Sequence, residues 1–480
     1  MSRRDRHSTP SIPVKSRPAS PAQSVSDGSS RTGKVSLRRR FGIDSAVLWT
    51  GTTSSWSLLR GLLQISFILY FLSPEEQGLW YTFTHLAALS LFAELGLTQI
   101  ISQHVSYEYT GLTLSEGQLT GDPHHLGRLV SLVRYAVRFY VLVTTLAALL
   151  LAAVGFFYFE GQTPVVLLAW IFYSIATGLY LLANLLLAIY RGLDQVAGTQ
   201  RTLLLGNLAT SLFTWLALVL GAGIWALPIG TALGTTILIC LVLKLNSRFW
   251  LQMLRYHLKT RVDWMRQLLG YQGKMALTIV SNYFSIYLLV PVVFQVEGPV
   301  VAGQLGLTQA VVVGLMSLAH AVLMAKTPNL NMLVANGQHR ESLKLAIRYG
   351  IISSAFFLLG ALLFLSAVII LQHFDLYADR FLNLPLSILL LFYSFIMSAL
   401  NGASQFLLAH RNVQTSLVLV RGPLFALAIF LVLPNFGLYW LLVAFNLVWL
   451  LLCIPWTLRD VVKCLAAHSD ATVEENPSHA

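Results

Sequence analysis

The sequence predicts an all-α, polytopic membrane protein of about twelve transmembrane helices in two parallel-repeat, six-helix lobes. Three observations carry this. Only 11% of the 480 residues are charged, long apolar runs recur between Gly, Pro and charged breaks, and the basic residues fall almost wholly on alternate connecting segments. A water-facing surface requires roughly a quarter of residues to be charged, so an ordinary soluble enzyme is excluded. At ~20 apolar residues per span, a chain of this length has room for about a dozen.

The apolar runs are 46–72, 79–104, 139–158, 165–189, 202–220, 223–243, 271–295, 301–325, 350–372, 385–409, 413–433 and 437–458. With the N-terminus inside, the inner segments hold 29 of the 32 Lys and Arg, and the outer loops hold one, Arg380. The outer loops carry Glu75, Glu76, Glu160, Glu297, Asp375 and Asp379 instead. Positive charge stays inside during insertion, so both termini are expected in the cytoplasm. Residues 1–43 read as a basic, Ser- and Pro-rich tail, disordered, with a topogenic role and an attraction to anionic lipid headgroups. Its ten Lys and Arg against Asp5 and Asp27 account for most of the net charge of +12. A nucleic-acid partner is therefore not expected. The division that follows is an N-lobe over 44–246, a basic amphipathic inner linker over 247–270, a C-lobe over 271–460 and a cytoplasmic tail over 461–480. The linker carries Phe249, Trp250, Tyr256 and Trp264, as a segment lying on a membrane surface does.

The two halves resemble each other. A shift of 225 carries Thr53, Ser57, Arg60, Pro74 and Gly78 onto Thr278, Asn282, Ser285, Pro299 and Gly303. A shift of 220 carries Phe172-Tyr173-Ser174 onto Phe392-Tyr393-Ser394, Arg191 onto Arg411 and Arg201 onto Arg421. Six spans per half is an even number, so the repeats share one orientation and are parallel.

The first hairpin, Leu72-Ser73-Pro74-Glu75-Glu76-Gln77-Gly78-Leu79-Trp80-Tyr81 followed by Ala93-Glu94-Leu95-Gly96-Leu97, resembles that of Wzx-type polysaccharide flippases. Their superfamily also contains multidrug extruders and lipid II flippases. The resemblance spans roughly 44–460, and its specific part is about 30 residues of it. It implies movement of an undecaprenyl-pyrophosphate-linked oligosaccharide across a bacterial plasma membrane, for O-antigen or exopolysaccharide synthesis, alongside polymerases and glycosyltransferases. A cation-coupled multidrug antiporter of the same superfamily is the alternative. A membrane enzyme of glycan assembly is a third, disfavoured by the short outer loops.

Topology leaves Arg60, Arg421 and Glu94 inside spans. A charge in hydrocarbon costs at least ~2.5–3.5 kcal/mol, so each should line a cavity or have a partner. Arg60 and Glu94 fall at similar depth, which permits a structural ion pair, and Glu94 is also the ion-coupling candidate. Arg60 alternatively contacts pyrophosphate, since a guanidinium binds phosphate oxygens in bidentate fashion. Arg421 snorkels to the inner interface or joins Lys274 in a basic funnel. The candidate substrate-binding residues are Ser57, Arg60, Gln64, Lys274, Asn282, Ser285, Asn401 and Arg421. Polar stripes Asn207, Thr210, Ser211, Thr214 and Ser394, Ser398, Asn401, Gln405 suggest a hydrated path, or helix-to-helix bonding. Gly230-x-x-x-Gly234 suggests close helix packing. The three cysteines (Cys240, Cys453, Cys464) have no metal spacing, and Asp122-Pro123-His124-His125 has no matching ligands nearby. No metal and no cofactor are expected. No phosphate-binding Gly-rich loop occurs, which leaves a proton or sodium gradient as the open energy source.

Overall fold

The computed structural model describes residues 45–257, 262–264, 276–277, 279–281, 283–374, 377–410 and 415–474. In chain order the elements are α1 (Ser45–Phe71), α2 (Pro74–Ala87), α3 (Ser90–Glu94), α4 (Leu97–Tyr109), the strands β1 (Leu112–Ser115) and β2 (Gln118–Gly121), α5 (Pro123–Tyr158), α6 (Pro164–Gly192), α7 (Val196–Val219), α8 (Ala226–Leu245) and α9 (Ser247–Arg255). After a π-helical turn, Tyr283–Tyr287, come α10 (Leu289–Val296), α11 (Pro299–Met324), α12 (Thr327–Ala335), α13 (His339–His373), α14 (Leu384–Ala409), α15 (Thr415–Val448) and α16 (Ile454–Glu474).

Among the described residues, nine helices are long and apolar enough to cross a bilayer, or ten if one bent pair counts as a span. Twelve are not reached on that count, for three local reasons. First, α1 is rich in Thr and Ser and carries Arg60, so its composition falls short although it has 27 residues. Second, the expected span 79–104 is broken. Leu95 and Gly96 adopt left-handed φ of 43° and 78°, and the pieces on either side bend by 42°. Third, the last two expected spans run on as one helical path, interrupted at Gly437 (φ 78°, ψ 177°). The chain is also not purely helical. The polar stretch after α4 forms an antiparallel hairpin with Leu112 opposite Gly121 and Ser115 opposite Gln118.

Sequence signals explain the helix starts. Ser73 caps α2: its Oγ accepts from the Glu76 backbone N–H at 3.1 Å, and its own N–H donates to Glu76 Oε2 at 3.0 Å. This reciprocal box satisfies two donors that the first turn leaves free, and it gives Glu76 a structural task. Pro74, Pro123, Pro164 and Pro299 sit in first turns, where the missing N–H costs nothing.

Helices α5, α6, α7, α8 and α1 pack among themselves, and α11, α13, α14 and α15 do likewise. The seam between the sets is built on small residues. A Cβ on Gly78 of α2 would lie 2.0 Å from the Pro299 carbonyl oxygen, and one on Gly303 of α11 would lie 2.8 Å from the Gly78 nitrogen. Gly78 and Gly303 are a pair that the 225-residue shift relates, and the Gly78–Pro299 contact is mirrored by Gly303 against the Pro74 carbonyl oxygen at 3.2 Å. In the same way Thr214 and Thr210 of α7 fill the space over Gly230 and Gly234 of α8. Half of the expected polar stripe on α7 thus packs against a helix. The 220-residue shift is matched in burial: Phe172 and Phe392 are 45% and 44% exposed, and Tyr173 and Tyr393 are both 8% exposed.

The described part of the linker is fixed to the N-terminal set. Helix α9 buries Phe249 and Met253, and Gln252 holds β2 by two bonds, accepting from Leu119 N–H at 2.8 Å and donating to its carbonyl at 2.7 Å. Arg134 of α5 donates to the carbonyls of Met253 (2.6 Å), Leu254 (3.0 Å) and Tyr256 (2.6 Å), closing the end of α9. Trp264, 1% exposed, donates to Ser131 Oγ at 3.1 Å beneath the Arg128 guanidinium. Arg134→Ala should leave three carbonyls without their charged donor, each such bond being worth about 1.5–3 kcal/mol. Trypsin should then cut after Arg255 at least tenfold faster, read by limited proteolysis of the folded protein, and an unchanged rate would contradict the clamp.

Candidate functional site

A cavity of about 460 Å³ lies beside the α2–α11 crossing, between α2, the π-helical turn, α11, α14 and α15. Its polar lining is Thr84 and His85 from α2, Ser285 from the π turn, Gln309, Ser317 and His320 from α11, and Ser394 from α14. Its aromatic walls are Tyr81, Tyr287, Tyr393 and Phe445. Among the described residues no Asp, Glu, Lys or Arg lines it. A π turn widens the helix by one residue and is frequent at functional sites. Here it brings Ser285 and Tyr287 to the cavity together.

Hydrogen-bond accounting gives the cavity its chemical character. A hydroxyl has one proton to donate and lone pairs to accept. Thr84 donates to the Tyr81 carbonyl (2.9 Å), Ser285 to Ser281 (2.9 Å), Ser317 to Val313 (2.8 Å) and Ser394 to Leu390 (2.9 Å). All four have spent their proton on their own helix. Gln309 donates through Nε2 to the Ile286 carbonyl at 3.0 Å, and its Oε1 is buried without a partner. His85 Nδ1 lies 2.8 Å from the Tyr81 carbonyl oxygen and so carries a proton. In the neutral ring, Nε2 is then an acceptor. His320 Nε2 is also buried without a partner. Apart from the phenols, the second N–H of Gln309 and His320, whose proton can be placed either way, the polar side chains offer lone pairs. The complementary ligand is rich in donors and has an apolar body for the aromatic walls.

The residues expected from sequence are dispersed. Ser285 lines this cavity. Arg60 of α1 makes no ion pair or hydrogen bond among the described residues. It lies within electrostatic reach of the phenols of Tyr173 and Tyr180 on α6. Ser57, exposed, donates to the Thr53 carbonyl at 2.9 Å. Gln64 accepts from Trp215 Nε1 of α7 at 3.1 Å, so two members of the α1 stripe turn to helices. Thr53 is the other, reaching the Gln200 carbonyl of α7 at 3.2 Å. Asn401 is half-buried one turn beyond Met397 at the cavity edge. Arg421 stacks over the Trp449 ring at 5.3 Å, behind the lining residue Tyr393. Lys274 and Asn282 lie outside the described residues. No ion pair joins Arg60 to Glu94 among the described residues: Glu94 accepts from Thr98 and lies near Tyr140. Among the described residues no group of His, Cys, Asp and Glu could hold a metal.

Sequence reasoning passed over Thr84, His85, Gln309, Ser317 and His320. A usable signal was present, since His85 and His320 are ionisable groups within apolar runs, which are functional by default. A search for residual formal charge misses them because neutral His is not counted.

No family model and no curated protein matches the chain. Solved structures do. The MATE multidrug transporter DinF-BH, solved in complex with R6G, superposes with a TM-score of 0.52 at 16% identity, over 89% of this chain and 96% of that one. A MOP superfamily transporter from Pyrococcus furiosus, described as having a binding pocket of reversed polarity that suggests a different function, gives 0.50 at 13% identity over 88% and 96%. The chain has the fold of these transporters. It is a multi-pass membrane protein, almost wholly helical.

Proposed function

We propose that the chain is a secondary transporter, not an enzyme, that moves a small, donor-rich amphiphile across a bacterial plasma membrane by alternating access, driven by a proton or sodium gradient. The observation that carries this reading is the cavity between the two helix sets, rich in acceptors and without an acid among its described lining residues. Its volume falls in the drug-sized range of ~300–1,000 Å³, and aromatic faces beside acceptors suit an amine or hydroxyl-bearing cargo. The MATE-like fold supports the same reading. The full architecture proposed is about twelve spans in two parallel-repeat lobes, 44–246 and 271–460, with both termini cytoplasmic. The inward bias of Lys and Arg supports it, as does the meeting of Gly78 with Gly303, since residues beside a pseudo-two-fold axis face their own repeats.

A second reading, flipping of a lipid-linked oligosaccharide, is favoured by the first hairpin and by Arg60, a charge inside the membrane region with no ion pair among the described residues. On it Arg60, Ser57, Gln64, Lys274, Asn282, Ser285, Asn401 and Arg421 would serve headgroup and sugars, Glu94 with Thr98 would take the coupling ion, and membrane lipids, a polymerase and glycosyltransferases would be partners. The first reading is the better supported, because 460 Å³ is a small fraction of such a headgroup's needs.

One experiment separates them. Proteoliposomes are loaded in parallel with an aromatic amine and with a fluorescent polyprenyl-pyrophosphate glycan, using wild type and Arg60→Ala. Gradient-driven amine transport that survives Arg60→Ala, with no glycan flipping, is expected. Glycan flipping lost in Arg60→Ala, with no amine transport, would replace the first reading by the second.

A further inference from the structure

Arg380, the lone basic residue of the outer loops, has a defined task at the seam. It closes the 3₁₀ turn Ala378–Arg380, between α13 and α14. That turn is fixed to α11: Gln304 Nε2 donates to the Asp379 carbonyl at 2.8 Å, and the Leu382 N–H donates to Thr308 Oγ1 at 3.2 Å. From this base Arg380 reaches into the other helix set. Its Nη2 donates to the Leu72 carbonyl at the end of α1, and its Nη1 donates to Gln77 Oε1 of α2 at 3.3 Å. Gln77, 1% exposed, returns the contact through Nε2, to the Arg380 carbonyl at 3.0 Å and to the Gly303 carbonyl at 2.9 Å. Both ends of the amide are therefore used, and every bond it makes crosses the seam.

We propose that Gln77 and Arg380 form a latch that holds the outer ends of the two helix sets together and sets how often they part. The inference rests on the alternating-access reading above. The chemistry suits a latch that must open. Arg380 donates to neutral acceptors in these bonds, which are stronger than neutral pairs, and the exposed Glu75 carboxylate lies within electrostatic reach without a direct ion pair. A buried amide with all its bonds made is stable only while the ends are closed. Once they part, water must replace each bond. The latch also sits directly over the Gly78–Pro299 crossing, where the two backbones touch, so its release and that separation are one event. Tyr158 forms a second strut at this end, donating to the Pro291 carbonyl at 2.5 Å and accepting from Gln295 Nε2 at 2.8 Å through its own carbonyl.

The test uses the full chain in nanodiscs with Cys240→Ser, spin labels at Glu160→Cys and Asn435→Cys, and distances between them by pulsed electron resonance. Both label sites are exposed, one in each half. Arg380→Ala and Gln77→Ala should each raise the ratio of separated to closed ends roughly tenfold, the effect of losing a charge-assisted bond. The double variant should add little to either, because the two side chains act as one unit. Arg380→Lys, which keeps the charge but not the forked geometry, should fall between. Exposed Arg340→Ala should change nothing. A monodisperse Arg380→Ala with the wild-type distribution would overturn the latch, as would full additivity in the double variant. If wild type stays closed with and without cargo while Arg380→Ala opens it, the latch stands and alternating access fails.

Discussion

Gly78→Val is expected to abolish transport while leaving the chain folded in the membrane. A Cβ at this position lies 2.0 Å from the Pro299 carbonyl oxygen and 2.6 Å from its carbonyl carbon. Both atoms are backbone, so no side-chain rotation relieves the clash. Overpacking of this kind costs about 1–3 kcal/mol where neighbours can move, and at a backbone contact the cost is at the upper end. The fold within each helix set does not depend on this crossing, since α5–α8 and α11–α15 pack within themselves. The strain therefore falls on the closed state of the outer ends, shifting the population away from it by about 100-fold at 1.4 kcal/mol per tenfold. The checks are transport in proteoliposomes and thermal stability in detergent. A Gly78→Val protein that transports at the wild-type rate would contradict the proposed cycle. Gly303→Val should behave alike, for the same reason seen from the other helix.

The pair His85→Leu and His320→Leu is expected to raise the apparent KM for an amine cargo by about 10–100-fold with little change in maximal rate. Each substitution removes a ring nitrogen that faces the cargo, His85 Nε2 as an acceptor and His320 Nε2 in the tautomer the cargo selects, and a hydrogen bond to a charged donor is worth about 1.5–3 kcal/mol. The helices should tolerate both changes. Leu fills similar space, and the Tyr81 carbonyl that loses His85 still has the proton of Thr84 at 2.9 Å. Because neither residue is in an ion pair, no buried charge is stranded. Concentration-dependent uptake read against the wild type checks the result. An unchanged KM with intact transport would place the cargo elsewhere, and a loss of maximal rate alone would assign the rings to coupling instead of recognition.

Much of the chain's character was readable in its residues one segment at a time. The capping box at Ser73 and Glu76 spans four residues. The 225- and 220-residue repeats are visible as strings, and the structure gives Phe172 and Phe392, or Tyr173 and Tyr393, nearly the same exposure. The Gly230 and Gly234 packing surface was equally plain. Other readings failed because they required knowing what a helix face meets. The polar stripe of α1 pointed to a lumen, yet Thr53 and Gln64 bond to α7. Arg60 and Glu94 were matched by depth, but depth leaves rotation about the helix axis free, and Glu94 turns to Thr98 and Tyr140.

The scarcity of charge, which indicated a membrane protein at once, also directed attention to the few charges left over. The cavity took its chemistry from uncharged groups instead. Whether a serine is a donor or an acceptor is not written in its identity; it is decided by whether its proton is already given to a carbonyl one turn back. Likewise Arg380 reads as an isolated loop cation until the turn that carries it is set against Leu72 and Gln77, more than 300 residues earlier. The sequence by itself determined that the chain is a multi-pass helical membrane protein, because hydropathy and helical period act within a span. The tertiary structure alone decided which polar groups share a cavity and which side chains bridge the halves, because those depend on helix rotation and on contacts between segments far apart in the chain.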